Sequence, residues 1–196
     1  IHEPHDYQTL VIDSVTALER LFVAEVLEQD PKAKSINQAL GGYGAGVAAV
    51  AAMHARVRKG AGLANEKRGM HVVFVAHADV ETMRLPDADD YMRYSLRLPP
   101  KSMPPYVDDV DVVGFLRLVT FTKGDDGERK KAISTGDREL VCHAVASNIS
   151  KNRYGLTEAL PFAAGENPLF AVIPALGAKH AIAAKPRDGA AQKEGE

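Results

Sequence analysis

An aspartate follows directly after an apolar run near the start of the chain, in "LVIDSV", and its position suits it for chemistry. Leu10 to Ile12 have the composition of a buried strand, and Asp13 stands where that strand would end. In open α/β sheets, ligands bind outside the carboxyl ends of the strands, and a carboxylate there can orient a magnesium ion or its waters beside a bound triphosphate. Asp13 and Ser14 are also good helix N-caps, so this motif alone leaves a purely structural role open.

Three further polar residues follow strand-like segments. His77 ends the apolar run "VVFVAH", where an imidazole can donate a hydrogen bond to a γ-phosphate or to an attacking water. Lys151 and Arg153, in "KNR", are two positions apart after a strand, so their side chains can point the same way and bind an anion. The alternatives are a strand-end histidine that meets solvent and a solvated basic turn.

The elements that would position these residues alternate between strand and helix in the first half of the chain. We predict a strand at about residues 8 to 12, a helix that ends at Asp30-Pro31, a glycine-containing loop, a second helix and a strand over residues 72 to 76. Apolar residues at helical spacing, with one histidine among them, support the two helices: Val15, Leu18, Phe22 and Val26, then Val47, Val50, His54 and Val57. The continuous apolar run of the second strand is typical of a parallel sheet covered on both faces, so this order indicates an α/β fold.

The rest of the chain changes character. Residues 78 to 106 hold five prolines and mixed charge, which predicts a long connection that is functional or mobile. From Val110 onwards, strand-like segments separated by the turn "KGDDG" predict an antiparallel β meander. Residues 176 to 196 are rich in Ala, Gly, Lys and Glu, and we predict that they form a disordered tail after a core over residues 1 to 175.

Composition restricts the class of protein. The chain has 196 residues, enough for about one domain, and its formal charge of −2 means that any contact with nucleic acid must come from local patches. It has one cysteine, Cys142, so an internal disulfide is impossible and a reducing compartment is the simpler interpretation. No segment has the pattern of a signal peptide or a membrane span, which favours a cytoplasmic protein without a membrane partner.

Three segments, in their order along the chain, resemble the RecA superfamily of ATPases. "LVIDSVTAL" is similar to the family's acidic strand and the helix after it, "VVFVAH" to its next core strand with a sensor residue at the tip, and "SKNRYGL" to a Lys-Asn-Lys segment placed against the ATP of a neighbouring subunit. More closely, "HADVE", "VDVVGFL" and "KNRYGL" together look like phage-encoded RecA-like nucleotide-binding proteins, which assist single-strand annealing and recombination. The resemblance covers about residues 7 to 162. It implies a RecA-like sheet of parallel core strands with helices on both faces, extended by an antiparallel β meander.

The resemblance also implies a site and its ligands. ATP would lie between subunits of a filament or ring in a bacterial or phage-infected cell, with Asp13 holding Mg²⁺ through water, Ser14 beside the nucleotide and His77 as the sensor. Lys151 and Arg153 would reach in from the next subunit. Single-stranded DNA would contact mobile loops at about residues 30 to 46 and 78 to 106. The candidate DNA contacts in the second loop are Arg84, Tyr91, Arg93, Tyr94, Arg97 and Lys101. Acidic residues in the same loop offset this charge, so an exposed mixed-charge loop is the alternative: Asp79, Glu81, Asp87, Asp89 and Asp90.

The sequence departs from the family in one respect. The phosphate-binding motif G-x-x-x-x-G-K-[ST], which precedes the acidic strand in this family, is missing from the 196 residues, and so is the strand with the catalytic glutamate. We expect that an upstream part has been removed and that the intact protein is a DNA-dependent ATPase of recombination or annealing. The alternatives are a replicative-helicase-type motor on the same fold and a RecA-like scaffold that binds DNA without hydrolysis.

Overall fold

The computed structural model describes residues 5–123, 131–173 and 176. The chain forms two compact units. The first comprises Ile1–Val113 with Ala144–Lys151, and the second comprises Gly114–His143 with Asn152–Glu196. Each unit is described by itself below.

The first unit begins with two parallel strands joined by two helices. In chain order these are β1 (Thr9–Asp13), α1 (Val15–Gln29), α2 (Ala45–Arg68) and β2 (His71–Val75). The strands pair in parallel from Thr9 opposite His71 to Asp13 opposite Val75. The predicted order of strand, helix, helix and strand is therefore confirmed.

Local sequence signals set the ends of both helices. Asp30 is the C-cap of α1, as expected for a residue before proline. Helix α2 runs further than its spacing indicated, through Gly60 and Gly62, and ends at Gly69 in the left-handed conformation. There the Gly69 amide donates to the carbonyls of Ala64 and Asn65, so these two carbonyl groups near the helix end are satisfied.

The parallel pair buries one face and exposes the other. Ile12 and Phe74 pack against a buried cluster of Val15, Leu98 and Tyr106. On the opposite face, three apolar side chains of the two strands stay exposed, by 55%, 44% and 36%: Val11, Val73 and Val75. The described residues thus form a mixed α/β structure in which the helices cover one face of this short sheet, and cover on the second face remains a prediction.

Residues 78 to 106 form regular structure, so the prediction of a long irregular connection was wrong. Two antiparallel strands, a 3₁₀ turn and a short helix follow one another: β3 (Ala78–Leu85), β4 (Ala88–Leu96), Pro100–Ser102 and α3 (Pro104–Val107). The mixed charge that suggested a loop pairs across the hairpin, as Glu81 opposite Arg93 does. Cross-strand pairs of this kind stabilise a hairpin, but they are invisible when the segment is inspected along the chain alone.

A two-residue strand, β5 (Val112–Val113), forms a sheet with β8 (Lys151–Asn152). Lys151, the first residue of β8, belongs to the first unit, as β5 does.

The second unit contains the predicted antiparallel meander, in the order β6 (Phe115–Lys123), β7 (Lys131–Val141) and β9 (Leu160–Pro161), followed by α4 (Leu169–Val172). The strand β7 is continuous through Gly136, which has a positive φ of 86°. The predicted turn after Lys123 and the predicted tail, apart from Leu176, lie outside the described residues. Within the described part of the chain, no helix is both long and apolar enough to cross a membrane.

Candidate functional site

Asp13 and His77 lie at the same edge of the parallel pair. Asp13 is the last residue of β1 and stands opposite Val75, the last residue of β2, so His77 lies two residues beyond this level. Both side chains are exposed. The structure therefore brings the two residues to the carboxyl ends of neighbouring parallel strands, where α/β folds bind ligands.

Ser14, and not Asp13, caps helix α1. The Ser14 hydroxyl accepts a hydrogen bond of 3.2 Å from the amide of Ala17, and the Ser14 side chain is buried. The alternative that Asp13 serves as the helix cap is thus wrong. The Asp13–Ser14 peptide bond is cis. Among the described residues, Asp13 has no ion-pair partner, so its carboxylate faces solvent without a structural role of that kind.

The main chain of His77 is held on both sides. Its amide donates to the Thr16 hydroxyl in the first turn of α1, at 3.0 Å. Its carbonyl accepts from the amide of Arg97, which follows the hairpin, at 2.8 Å. These contacts fix the backbone from which the exposed imidazole extends.

Lys151 and Arg153 fall in different compact units, and each is described by itself. In the first unit, the Lys151 ammonium donates to the carbonyl of Asp108 at 2.8 Å, just past the end of α3. In the second unit, Arg153 is exposed and lies beyond the end of β8. Between them, Asn152 organises the turn: its side-chain amide donates to the carbonyls of Cys142 and Leu156, and its side-chain oxygen accepts from the amides of Tyr154 and Leu156.

The arginines predicted to contact DNA pair with acids of the hairpin region. Arg93 contacts Glu81 at 2.6 Å, with both side chains partly buried. The other two pairs are longer and more exposed, with Arg84 at 3.6 Å from Asp90 and Arg97 at 3.8 Å from Asp79. A phosphate at any of these arginines would compete with an acid that is already in place.

The two predicted stacking tyrosines lie on opposite faces of the hairpin. Tyr91 stands opposite Met83 and is partly buried, whereas Tyr94 stands opposite Val80 and is exposed. Because side chains alternate along a strand, residues at these two positions cannot form one stacking surface. The hairpin therefore offers Tyr94 alone of this pair as an exposed ring.

Lys101 differs from the arginines. It is exposed, and among the described residues no ion pair engages it. A Cβ added to Gly44 would lie 3.7 Å from its ammonium nitrogen, so the two segments predicted to contact DNA approach each other here.

An aromatic residue in the first of these segments was missed at the sequence level. Tyr43, in "GGYGAG", is fully exposed and has a positive φ of 51°. A non-glycine residue in this conformation is uncommon and is found more often at functional positions. The loop around it is anchored, because the carboxylate of Asp30 accepts from the amide of Leu40 at 2.9 Å. The sequence feature that could have identified this residue is a single tyrosine flanked by glycines.

A second histidine was assigned only to a helix face by its spacing, but the structure buries it completely. His54 of α2 has an exposed fraction of 0%, with Nε2 2.8 Å from a carboxylate oxygen of Glu19 and Nδ1 2.7 Å from the hydroxyl of Tyr106. A carboxylate only accepts hydrogen bonds, so Nε2 carries the proton, and the Nδ1 of the neutral ring accepts from Tyr106. Phe22 packs edge-on against the His54 ring, and Phe74 packs against Tyr106.

Burial controls the ionisation of this triad. Desolvation lowers the pKa of His54, and the hydrogen bond and charge of Glu19 oppose this change. Burial, with a further contribution from the Glu19 charge, raises the pKa of Tyr106 to about 12. The imidazole is thus kept neutral and the phenol protonated, as the hydrogen bonds require.

The donor set at the strand edge suits magnesium better than a metal held by protein alone. Among the described residues there is no group of three or more His, Cys, Asp or Glu side chains that could hold a metal ion. Mg²⁺ is commonly bound through one or two carboxylates together with substrate phosphates and waters. A single exposed carboxylate at Asp13 fits that mode of binding.

Comparison with known proteins gives one match. The family model of the AAA domain matches residues 1–154. No curated protein and no solved structure matches the chain.

Proposed function

The chain belongs to the AAA domain family, a family of nucleotide-binding ATPase-type domains, and from this premise we propose that it is the core of a RecA-like ATPase that acts on single-stranded DNA in recombination or annealing. The observation that carries this proposal is Asp13, an exposed carboxylate at the carboxyl end of β1 whose helix-capping role is taken by Ser14.

In this proposal, Asp13 holds Mg²⁺ through a water molecule. An Mg²⁺ ion bound there would supply positive charge that offsets the negative charge of the ATP phosphates. The chain's own contribution is a carboxylate that is free to accept hydrogen bonds from the ion's waters. The resemblance placed Ser14 beside the nucleotide. Its hydroxyl caps helix α1 instead, so we propose that Ser14 holds the backbone next to Asp13.

His77 is proposed to act on the transferred phosphoryl group. Its imidazole is exposed at the edge that carries Asp13, and either ring form has an N–H that can donate to a γ-phosphate oxygen or to the attacking water. Little covalent chemistry falls to the protein in phosphoryl transfer, so the contribution of such a residue is its position.

Lys151 and Arg153 are proposed to act on the nucleotide of a neighbouring subunit in a filament or ring. A cation supplied across a subunit boundary stabilises the charge that develops on the phosphoryl group, and such a residue is worth about 10³–10⁵ in rate. Within its own chain, the Lys151 ammonium is held by a hydrogen bond to the carbonyl of Asp108.

For DNA, we propose a smaller contact set than the sequence predicted. Lys101 is proposed to contact a phosphate and Tyr43 to stack on a base, because Lys101 has no competing acid among the described ion pairs and Tyr43 is fully exposed. Arg84, Arg93 and Arg97 are proposed to contribute only where DNA displaces their acidic partners.

The test uses the full chain with any residues that its gene encodes upstream of Ile1. ATP hydrolysis is measured with and without single-stranded DNA, together with annealing and strand displacement. We expect DNA-stimulated hydrolysis and annealing without displacement. Displacement coupled to hydrolysis would point instead to a helicase-type motor, and DNA binding without hydrolysis to a scaffold.

Subunit mixing tests the shared site. An Asp13→Ala variant and a Lys151→Ala/Arg153→Ala variant are each expected to be inactive, and their mixture should recover part of the activity. Recovery is expected because some interfaces then pair an intact Asp13 with an intact basic pair. Proven co-assembly without recovery would show that the basic pair does not act across the boundary.

A further inference from the structure

His77 lies in the link between β2 and β3, outside both strands. The parallel register of β1 and β2 ends at Asp13 opposite Val75, and β3 begins at Ala78. The position of His77 therefore depends on contacts from other elements.

One of these contacts comes from the helix that follows Asp13. Thr16 lies in the first turn of α1, three positions after Asp13, and is buried with an exposed fraction of 8%. Its hydroxyl oxygen accepts the amide hydrogen of His77 at 3.0 Å, across 61 positions of sequence. This bond ties the carboxyl end of β2 to the segment that carries Asp13.

We propose that Thr16 is a positioning residue that sets the distance between His77 and Asp13. The inference rests on the proposed function, because it assigns Thr16 a role in phosphoryl transfer through His77. The contact is specific to a β-hydroxyl: valine has nearly the same shape but cannot accept the bond, whereas serine can. In a reaction that depends on positioning, a displacement of about 1 Å can cost roughly 100-fold in rate.

The experiment compares Thr16→Val and Thr16→Ser in the full chain with any upstream residues. The matched control is Ser102→Ala, which removes a buried hydroxyl that has no hydrogen-bond partner among the described residues. Two quantities are measured: exchange of the His77 amide hydrogen by NMR, and kcat and KM for ATP.

For Thr16→Val we expect His77 amide exchange to become about two- to tenfold faster, the factor that corresponds to one lost hydrogen bond. We expect kcat to fall by about 10- to 100-fold with little change in KM, because His77 acts on the transition state rather than on ATP binding. Thr16→Ser should restore both quantities, and Ser102→Ala should change neither. If Thr16→Val fails to fold, Thr16→Ala is used in its place, because it removes the same hydrogen-bond acceptor.

Two results would overturn the inference while leaving the proposed function intact. One is faster exchange at His77 with kcat unchanged, and the other is a Thr16→Ser variant as slow as Thr16→Val. If the parent protein hydrolyses no ATP, the proposed function fails and the catalytic role of Thr16 fails with it. The exchange data would then still show whether Thr16 holds the His77 amide, so the two failures are distinguishable.

Discussion

The first unit contains two carboxylate–histidine combinations in opposite surroundings. At the strand edge, Asp13 and His77 are both exposed, and Asp13 has no ion-pair partner among the described residues. Between the helices, Glu19 and His54 form a hydrogen bond of 2.8 Å that continues to Tyr106. The same residue types are thus left available for a ligand in one place and are fully engaged within the fold in the other.

Burial accounts for this difference. A buried polar group destabilises the fold unless it is hydrogen-bonded, so His54 is compatible with the core only because both ring nitrogens have partners. Asp13 needs no hydrogen-bond partner within the protein, because its exposed carboxylate is solvated by water. We therefore expect substitutions at the strand edge to affect activity with little loss of stability, and substitutions in the triad to do the reverse.

Asp13→Ala should give the largest effect and separates the two regions most clearly. In the full chain with any upstream residues, ATP hydrolysis should fall by at least about 100-fold, as when one group that stabilises transition-state charge is removed. The urea concentration at the unfolding midpoint should stay unchanged, because the Asp13 carboxylate forms no ion pair among the described residues. Asp6→Ala, another exposed aspartate, is the control and should keep its activity. Full activity in Asp13→Ala would remove the basis of the proposed site.

His54→Leu should destabilise the fold by about 2–4 kcal/mol, because the Tyr106 hydroxyl and the partly buried Glu19 carboxylate lose their partner. Urea unfolding measures this loss. Tyr106→Phe should cost less, since it leaves only Nδ1 of His54 unsatisfied, and Tyr43→Phe, at a fully exposed tyrosine, should cost almost nothing. An unfolding free energy unchanged in His54→Leu would contradict a structural role for the triad.

Two tyrosines extend the comparison to DNA. Tyr106 is buried in the triad, whereas Tyr43 is fully exposed. Tyr43→Ala should weaken binding of single-stranded DNA by about 5- to 100-fold, the range for loss of one stacked base. Stability should not fall, and Tyr43→Gly should fold at least as well, because glycine accepts a positive φ. Fluorescence anisotropy with Tyr7→Ala, another exposed tyrosine, as control provides the test; equal losses in both variants would exclude a specific contact.

The smallest predicted effect is a dependence of stability on pH. The pKa of His54 is lowered in the folded state, so between its folded and unfolded values the unfolded chain binds more protons. The stability contributed by neutral His54 is therefore present above the unfolded pKa of about 6.5 and is lost as pH falls, by at most about 1.4 kcal/mol per pH unit.

Glu19 and Tyr106 are the titratable partners of His54, and the charge of Glu19 limits this loss. Urea unfolding of wild type and His54→Leu across pH 5 to 7.5 isolates the contribution, since other groups titrate in both proteins. If the unfolding free energies of the two proteins change with pH in the same way, folding does not change the pKa of His54.

Features encoded locally were predictable from the sequence. The apolar run before Asp13, the helical spacing after it and the second apolar run predicted β1, α1 and β2. Strand-like segments separated by a turn predicted the antiparallel strands of the second unit. Asp13 and His77 could be placed at strand ends for the same reason, because a strand and the residue that follows it are neighbours along the chain. The helix after Asp13 was also predictable, but whether Asp13 or Ser14 capped it was not.

Tertiary structure decided the features that depend on distant partners. The charges of residues 78 to 96 lie on a hairpin in which Glu81 meets Arg93. The spacing of α2 could not show that His54 contacts Glu19 and Tyr106, which are 35 and 52 positions away. The hydroxyl of Thr16 likewise meets His77 across 61 positions. The sequence by itself determined which residues end the strands, because periodicity and strand ends are local properties. Only the folded chain decided which polar groups are buried and paired, because hydrogen bonds and ion pairs depend on distances in space that local patterns do not encode.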